Sequence, residues 1–232
     1  MLERLGPELW VADGGNVSFF GYAYPTRMAV VRLESGDLWV WSPIALDAAL
    51  EAEVRALGPV RHLVSPNKLH HLFLAAWHDR FPEAKLWGTA SSIARFPRLG
   101  FGGELTDAAP PEWAGQIDQY HFTNSPFLDE MVFFHRASRT AILADLSQPF
   151  SEAFLTRHWP LWLRTVARLA GLTADRGHPP PELRFSFRHR AEGRAKVQAM
   201  IDSRPDHVIV AHGAITRSGG AAYLRRAFDW LL

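Results

Sequence analysis

Residues 60–71 read Val-Arg-His-Leu-Val-Ser-Pro-Asn-Lys-Leu-His-His, and this stretch decides the fold prediction. The apolar run Val60–Val64 indicates a short strand, and Leu72–Trp77 indicates the first turns of a helix. His70 and His71 therefore stand at a strand-to-helix junction. Neutral imidazole binds metal ions, and a pKa of about 6.5 keeps much of it neutral at neutral pH. The junction predicts a metal site, a remnant of one, or a packed histidine pair.

The composition indicates a globular protein. The chain has 232 residues, of which 47% are hydrophobic and 21% charged, and its net charge is +1. Such a chain can bury a substantial core. It lacks the concentrated basic run that nucleic-acid binding requires, so we expect no nucleic-acid partner. Because the chain has no cysteine, any metal site must use His, Asp or Glu.

The sequence predicts neither a signal peptide nor an integral membrane segment. Residues 1–7 lack an apolar stretch, and no run approaches the roughly 20 apolar residues that span a bilayer. We therefore expect a soluble, cytoplasmic protein. Residues 154–172 are the exception, because arginines lie among tryptophans and leucines there as in a helix at a membrane interface. A helix that packs on its own core or on a partner has the same pattern, so peripheral contact stays an alternative.

Predicted strands and helices are mixed along the whole chain. The strands are Leu9–Ala12, Met28–Leu33, Leu38–Trp41, Val60–Val64, Lys85–Gly88, Ile117–Phe122, Met131–His135, Thr140–Ala144 and His207–Ala211, with a turn at Gly14-Gly15. Helices are predicted at Leu46–Leu57, from the residues after the histidine junction to about Phe81, and from about Ser91 onward. Later helices are predicted at Ser151–Ala170, with an interruption at Trp159-Pro160, at Ala191–Ser203, and from about Ser218 onward. Residues 99–114 and 175–181 are predicted loops. The mixture predicts one layered α/β domain over residues 1–232, with sheet packed between helices.

Three of the apolar strands end in potential metal ligands. The first leads to His70 and His71, the second ends at Asp145, and the third ends at His212. In layered α/β folds, ligands gather at the carboxyl ends of strands. Imidazole and carboxylate groups suit Zn, Fe or Mn. The three strand ends therefore predict one shared metal site.

This order of motifs resembles the metallo-β-lactamase superfamily over nearly the whole chain. The resemblance implies an αββα sandwich with a His-x-His-x-Asp-His loop after a strand. In residues 66–71, Pro66 and Lys68 stand at the positions of the first two histidines, His70 stands at that of the aspartate, and His71 matches the last histidine. One of the superfamily's two metal positions is therefore disrupted in the loop.

The later motifs fit the same scheme. The superfamily's Gly-His turn falls near Ser125-Pro126, where no histidine is present. The strand that ends in Gly-Asp corresponds to Ala144-Asp145, and the late histidine corresponds to His212. The loop Ser65–His71 and the stretch Ser125–Glu130 are also similar to a divergent branch that is known only as a domain of unknown function.

The resemblance implies at most a mononuclear metal site. Its ligands would be His70, His71, Asp145 and His212, and its ion would be one divalent metal, Zn or Fe/Mn. The ammonium group of Lys68 would occupy the emptied first position, so Lys68 and Asp145 are the predicted catalytic residues. Purely structural roles stay open, because a carbonyl group could accept the hydrogen bond of a buried His212 and Asp145 could anchor a turn.

Two functions follow from these patterns. The leading hypothesis is a metal-dependent hydrolase-like protein that acts on an unknown small molecule. The alternative is a catalytically inactive scaffold that keeps the fold and binds a ligand or partner without metal. Glu130 could act as an acid or base near the loop, but the favoured interpretation is a solvated carboxylate at a strand edge.

Overall fold

The computed structural model describes residues 1–232 and contains two β-sheets. In order across the first sheet, the strands are β1 (Glu3–Gly6), β2 (Leu9–Phe19), β3 (Tyr22–Arg32), β4 (Leu38–Trp41), β5 (Val60–Val64), β6 (Lys85–Gly88) and β7 (Gly103–Glu104). The first four strands pair antiparallel, and β4 to β7 pair parallel.

The second sheet has four strands, β8 (Ile117–Phe122), β9 (Glu130–His135), β10 (Thr140–Leu143) and β11 (His207–Val210). The strands β8, β9 and β10 form an antiparallel meander, and β11 pairs parallel with β10. The parallel pair places the carboxyl ends of β10 and β11 at the same edge of the sheet.

Eight α-helices complete the chain. They are α1 (Ala48–Leu57), α2 (Leu74–Arg80), α3 (Ala90–Arg95), α4 (Glu152–His158), α5 (Leu161–Ala170), α6 (Pro181–Ser186), α7 (Arg190–Asp202) and α8 (Gly220–Ala227). Asp47 and Ser151 cap α1 and α4 by accepting a backbone N–H in the first turn. None of the helices combines the length and the apolar character that crossing a bilayer requires.

Alternation along the strands separates the layers. In β4, Trp39 and Trp41 lie in the core between the sheets, while Leu38 and Val40 face a separate core that contains α1 and α2. In β10, Ile142 lies in the core between the sheets, and the neighbouring residues face α7 and α8. The order of layers is therefore helix, sheet, sheet, helix, as the sequence predicts. That residues 1–232 form a single domain stays a prediction.

Two local predictions are wrong. Gly14-Gly15 is not a turn, because β2 continues through it with a bulge between Asp13 and Asn16. A Cβ at Gly14 would lie 2.4 Å from Thr26 Oγ1, so this glycine permits close packing rather than chain reversal. The predicted loop at residues 99–114 contains β7, whereas the predicted loop at residues 175–181 is confirmed up to its last residue, where α6 begins. The predicted interruption at Trp159-Pro160 is confirmed, since it separates α4 from α5.

Candidate metal centre

Three of the predicted ligands meet where β5, β10 and β11 end. The donor atoms of His70, Asp145 and His212 all lie within 4.8 Å of one another. His70 Nε2 is 3.3 Å from Asp145 Oδ2, and His212 Nε2 is 3.5 Å from Asp145 Oδ1. All three side chains are largely buried. Residues separated by 142 positions in the chain thus form one buried polar cluster.

The hydrogen bonds of His212 fix the state of its ring. Nδ1 lies 2.6 Å from the carbonyl oxygen of Pro25, and because a carbonyl only accepts, Nδ1 carries the hydrogen. In the neutral ring Nε2 then carries a lone pair and no hydrogen, and it faces the carboxylate of Asp145. Burial lowers the pKa of His212, while the charge of Asp145 opposes that shift. A lone pair and a carboxylate repel each other, and a cation or a proton between them would remove that repulsion.

His70 presents a second unpaired nitrogen. A hydrogen bond of 2.8 Å joins its Nδ1 to Ser42 Oγ, and its ring stacks on Trp41. Its Nε2 is buried and has no hydrogen-bond partner, although it lies near Asp145 Oδ2. The rings of His70 and His212 have centroids 5.3 Å apart. Both histidines therefore direct Nε2 into the same small space.

Asp145 completes the cluster as an oriented carboxylate. Asn67 donates to its Oδ2 at 2.9 Å, and Gln148 donates to its Oδ1 at 3.1 Å. Burial disfavours its charge, but the neighbouring His70 and His212 lower the pKa of Asp145 well below its usual range. Each oxygen accepts one amide hydrogen and keeps a lone pair for the region between the histidines.

Glu130 lies behind Asp145 and is not solvated, so the expectation of an exposed strand-edge carboxylate is wrong. It is only 1% exposed, and it begins β9, a strand whose six residues are all buried. Its oxygens accept the backbone N–H groups of Ala144, Asp145 and Leu146 at 2.7–3.0 Å. Burial and the charge of Asp145 raise the pKa of Glu130, while the three backbone N–H groups oppose that shift by stabilising the carboxylate. Glu130 therefore fixes the backbone that carries Asp145.

A buried arginine holds the turn that carries His212. Arg27 donates through one nitrogen to the carbonyl oxygens of Val210 and Gly213, both at 2.7 Å, and through Nε to Asp13. Arg27 also lines the cavity beside the cluster. Sequence reasoning missed Arg27 and Ser42. Ser42 directly follows β4, so the strand-end argument could have found it, whereas no local signal marks Arg27.

Two predicted site residues lie outside the cluster. His71 donates from Nδ1 to the carbonyl oxygen of Lys68 at 3.0 Å, and its ring stacks on Phe96 with centroids 3.8 Å apart. Lys68 is half-buried and does not border the cavity. Adjacent side chains in a helical turn point about 100° apart, which separates His71 from His70. It is Asn67, not Lys68, that reaches Asp145 from this loop.

The cluster borders a cavity of about 480 Å³. Its polar lining includes Arg27, Gln148 and Glu182 together with the three clustered side chains. Its apolar lining includes Phe19 and Phe20 from the β2–β3 hairpin, Leu72 and Phe127. The volume is in the range of pockets that take small molecules, and few polar groups converge in a mostly apolar lining.

The donor set fits a single divalent ion. Ligand atoms about 2.0–2.2 Å from a tetrahedral ion lie about 3.3–3.6 Å from one another. Each histidine nitrogen lies at such a distance from an oxygen of Asp145, His70 from Oδ2 and His212 from Oδ1. The bond from His212 Nδ1 to a carbonyl oxygen is the usual way in which a ligating histidine is oriented. Two imidazoles and one carboxylate suit Zn or Fe, and leave a position open.

Comparison with known structures identifies the class of fold. A crystal structure of the DIM-1 metallo-β-lactamase exposed to ceftazidime is similar with a TM-score of 0.66 and 13% identity, covering 100% of this chain and 95% of that one. FIM-1 from Pseudomonas aeruginosa, in its mono-zinc form, gives 0.62 and 11% identity over 100% and 92%. A metallo-β-lactamase from Hirschia baltica gives 0.62 and 12% over 100% and 97%. The protein therefore has a divergent metallo-β-lactamase fold.

The sequence itself places the chain in a family. Residues 8–154 match the family DUF4336, described as a domain of unknown function, and the chain belongs to that family. No curated protein matches the sequence. The matched residues include Asn67, His70 and Asp145 but end before His212.

Proposed function

We propose that the protein is a metal-dependent hydrolase-like protein with one mononuclear site. His70, Asp145 and His212 hold a single divalent ion, Zn or Fe/Mn, at the edge of the cavity. The observation that carries the proposal is that Nε2 of His70 and Nε2 of His212 lie 3.3 Å and 3.5 Å from the same buried carboxylate. The neutral ring of His212 has no hydrogen to share with that carboxylate, because its Nδ1 already donates to Pro25. When bound, such an ion supplies Lewis acidity toward water and toward a carbonyl or phosphoryl oxygen.

The residues of this chain hold that arrangement. Pro25 and Ser42 orient the two rings, Asn67 and Gln148 orient the carboxylate, and Glu130 fixes the backbone behind it. Arg27 places a positive charge at the cavity, where a developing oxyanion would be stabilised. A catalytic role for the charge of Lys68, and ligation by His71, stay predictions outside this arrangement.

The second candidate is a catalytically inactive protein that binds a ligand in the same cavity without metal. It is favoured by the first loop, in which Pro66 and Lys68 replace ligands and so leave at most one ion. Two-metal hydrolysis depends on a clamp that holds both reacting oxygens, and one ion cannot provide that clamp.

Metal content separates the two candidates. Elemental analysis of the purified protein should find one ion per chain, and His70→Ala or His212→Ala should reduce it to background. Hydrolysis of p-nitrophenyl esters and of bis-p-nitrophenyl phosphate should then follow metal content. Protein without stoichiometric metal after incubation with zinc, iron and manganese would favour the inactive alternative.

The proposed substrate is a small molecule, and no nucleic acid is a proposed partner. A cytoplasmic location stays a prediction from the sequence, as does contact of residues 154–172 with a membrane or partner. The oligomeric state carries no proposal.

A further inference from the structure

The exposed apolar side chains are concentrated around one feature of the molecule, the mouth of the cavity. Apart from the terminal residues Met1 and Leu232, they fall into three groups. Phe19, Phe20, Leu69, Leu72 and Phe127 line the cavity itself. Four more lie on α5, and Phe185 lies on α6, whose Leu183 also lines the cavity. We call these three groups together the apolar rim.

The α5 helix turns its apolar stripe outward. Leu161, Trp162, Val166 and Leu169 are exposed, with Leu169 at 85%, whereas Ala167 and Ala170 face the core. At about 100° per residue the four exposed side chains cover one continuous face of the helix. The ring of Trp162 contacts that of Tyr22 in the hairpin, with centroids 6.1 Å apart. The stripe is therefore continuous with the hairpin beside the cavity.

The hairpin tip holds an aromatic side chain in an unfavourable position. Phe20 and Gly21 form the two-residue turn, and Phe20 has a φ of 50°. Turns of this kind favour Asn, Asp or Gly at that position, and a bulky residue there is an outlier. The side chain of Phe20 is nevertheless 85% exposed. Its ring has an edge-to-face contact with the neighbouring Phe19, with centroids 4.6 Å apart, but most of its surface stays in contact with solvent. An exposed phenylalanine in an unfavourable backbone conformation points to a contact outside the chain.

Basic residues outnumber acidic ones near the rim. Residues 152–190, which contain α4, α5 and α6, include seven arginines and only three acidic residues, Glu152, Asp175 and Glu182. Arg168 is paired with Glu152, while Arg157 is exposed and has no carboxylate partner. Arginines that flank an exposed apolar stripe complement an anionic, apolar-cored surface.

We propose that the apolar rim docks the protein on an anionic lipid surface, with Phe20, Trp162 and Leu169 inserted below the headgroups and the arginines at their level. This orientation turns the mouth of the cavity toward the lipid. A second copy of the chain is the less suitable occupant, because it would bring the same unbalanced arginines against one another. The docking goes beyond the proposed metal chemistry and does not depend on it.

Vesicle co-sedimentation tests the docking. The full-length protein is incubated with vesicles of phosphatidylcholine alone and of phosphatidylcholine with phosphatidylglycerol. We expect binding to the anionic vesicles that weakens as salt is raised. Trp162→Ser and Leu169→Ser should each weaken binding by about tenfold, since each removes one large inserted side chain. Leu232→Ser is the matched control, because it removes an exposed leucine outside the rim and should leave binding unchanged.

Further variants and treatments separate the possible outcomes. Arg157→Gln should reduce the dependence of binding on salt, because it removes a positive charge at the level of the headgroups. Protein treated with a chelator, and the variant Asp145→Asn, should bind vesicles like the wild type, so failure of the metal proposal would leave this one standing. Absence of binding to anionic vesicles would overturn the docking, as would equal binding by wild type and Leu169→Ser. Self-association by analytical ultracentrifugation that Leu169→Ser abolishes, without vesicle binding, would assign the rim to a second copy instead.

Discussion

His212 Nε2 lies 3.5 Å from Asp145 Oδ1, while the other nitrogen of the same ring donates its hydrogen to the carbonyl oxygen of Pro25. A neutral histidine in this position turns a lone pair toward a carboxylate. Burial disfavours the charged ring, so a proton is a poor solution to the repulsion. A divalent ion between the two groups removes the repulsion and uses the lone pair. This relationship is the physical basis for a metal centre in a chain whose first loop has Pro66 and Lys68 in place of two histidine ligands.

Replacement of Glu130 should disturb both folding and the centre. In Glu130→Gln, an NH₂ group faces backbone N–H groups that now donate to a carboxylate, so we expect a loss of about 2–3 kcal/mol in the free energy of unfolding. Zinc affinity should fall about 10-fold to 100-fold, because Asp145 loses its backbone anchor. Urea denaturation and a zinc competition assay measure the two effects. Glu182→Gln, at the cavity, is the control, and equal zinc affinity in both variants would refute the anchoring role.

His135 should make the stability fall in acid. Burial lowers its pKa to about 4, and it donates from Nδ1 to Ser138 Oγ, whose hydroxyl donates onward to Thr140. Because the unfolded chain has the higher pKa of about 6.5, it binds the proton first as pH falls. This group alone should therefore remove about 2 kcal/mol of stability between about pH 7 and about pH 5.

The variant His135→Asn isolates this contribution. It keeps a donor for Ser138 but cannot titrate, so its stability should depend less on pH than that of the wild type. The other buried histidines titrate in both proteins and cancel in the comparison. Denaturant titrations at both pH values give the slopes, and identical slopes would show that His135 is protonated as easily in the folded protein as in the unfolded one.

Phe20→Asn should change stability and lipid binding in opposite directions. Asparagine tolerates a positive φ, so the variant should gain about 1 kcal/mol in the free energy of unfolding. It also removes the exposed aromatic ring from the apolar rim, so its binding to anionic vesicles should weaken. Thermal denaturation and co-sedimentation on the same samples test the pair of effects. A variant that is more stable and binds vesicles normally would place Phe20 outside the docking surface.

His71→Ala should affect packing and leave the metal centre intact. The ring stacks on Phe96, so we expect a loss of about 1 kcal/mol in the free energy of unfolding. Zinc affinity should match that of the wild type, because Nδ1 faces the Lys68 carbonyl and the ring lies outside the cluster. A zinc competition assay decides the point. Weakening comparable to that of His212→Ala would restore His71 to the ligand set.

Much of the fold could be predicted because the strands that define it are short apolar runs with turn residues at their ends. The strands Leu38–Trp41, Val60–Val64 and Lys85–Gly88 are bounded by turn residues and lie where the apolar runs predict. The length of the β2–β3 hairpin could not be predicted, since Gly14 has the signature of a turn but serves close packing against Thr26. The α6 helix was missed because Pro181 reads as a loop residue, although proline suits the first turn of a helix.

The site divides in the same way. His70, Asp145 and His212 each follow a strand, so a rule about strand ends brings them together from the sequence alone. The direction of His71 depends on the local turn, and Glu130 is buried where it contacts the backbone of residues 144–146. Asn67 and Arg27 act through partners that are distant in sequence. Such contacts exist only in the folded chain and leave no local pattern.

The most direct test of the metal centre is the zinc dissociation constant of Asp145→Asn, measured by competition with a chromophoric chelator. Asparagine keeps the shape of the side chain but removes the charge between the two histidines. The matched control is Asp129→Asn. It removes a carboxylate whose Oδ2 lies 3.3 Å from Nε2 of His121, a histidine–aspartate pair outside the cluster. We predict one zinc ion per chain in the wild type and in Asp129→Asn, and affinity weakened by at least about 100-fold in Asp145→Asn. Equal zinc affinity in the three proteins would contradict the account.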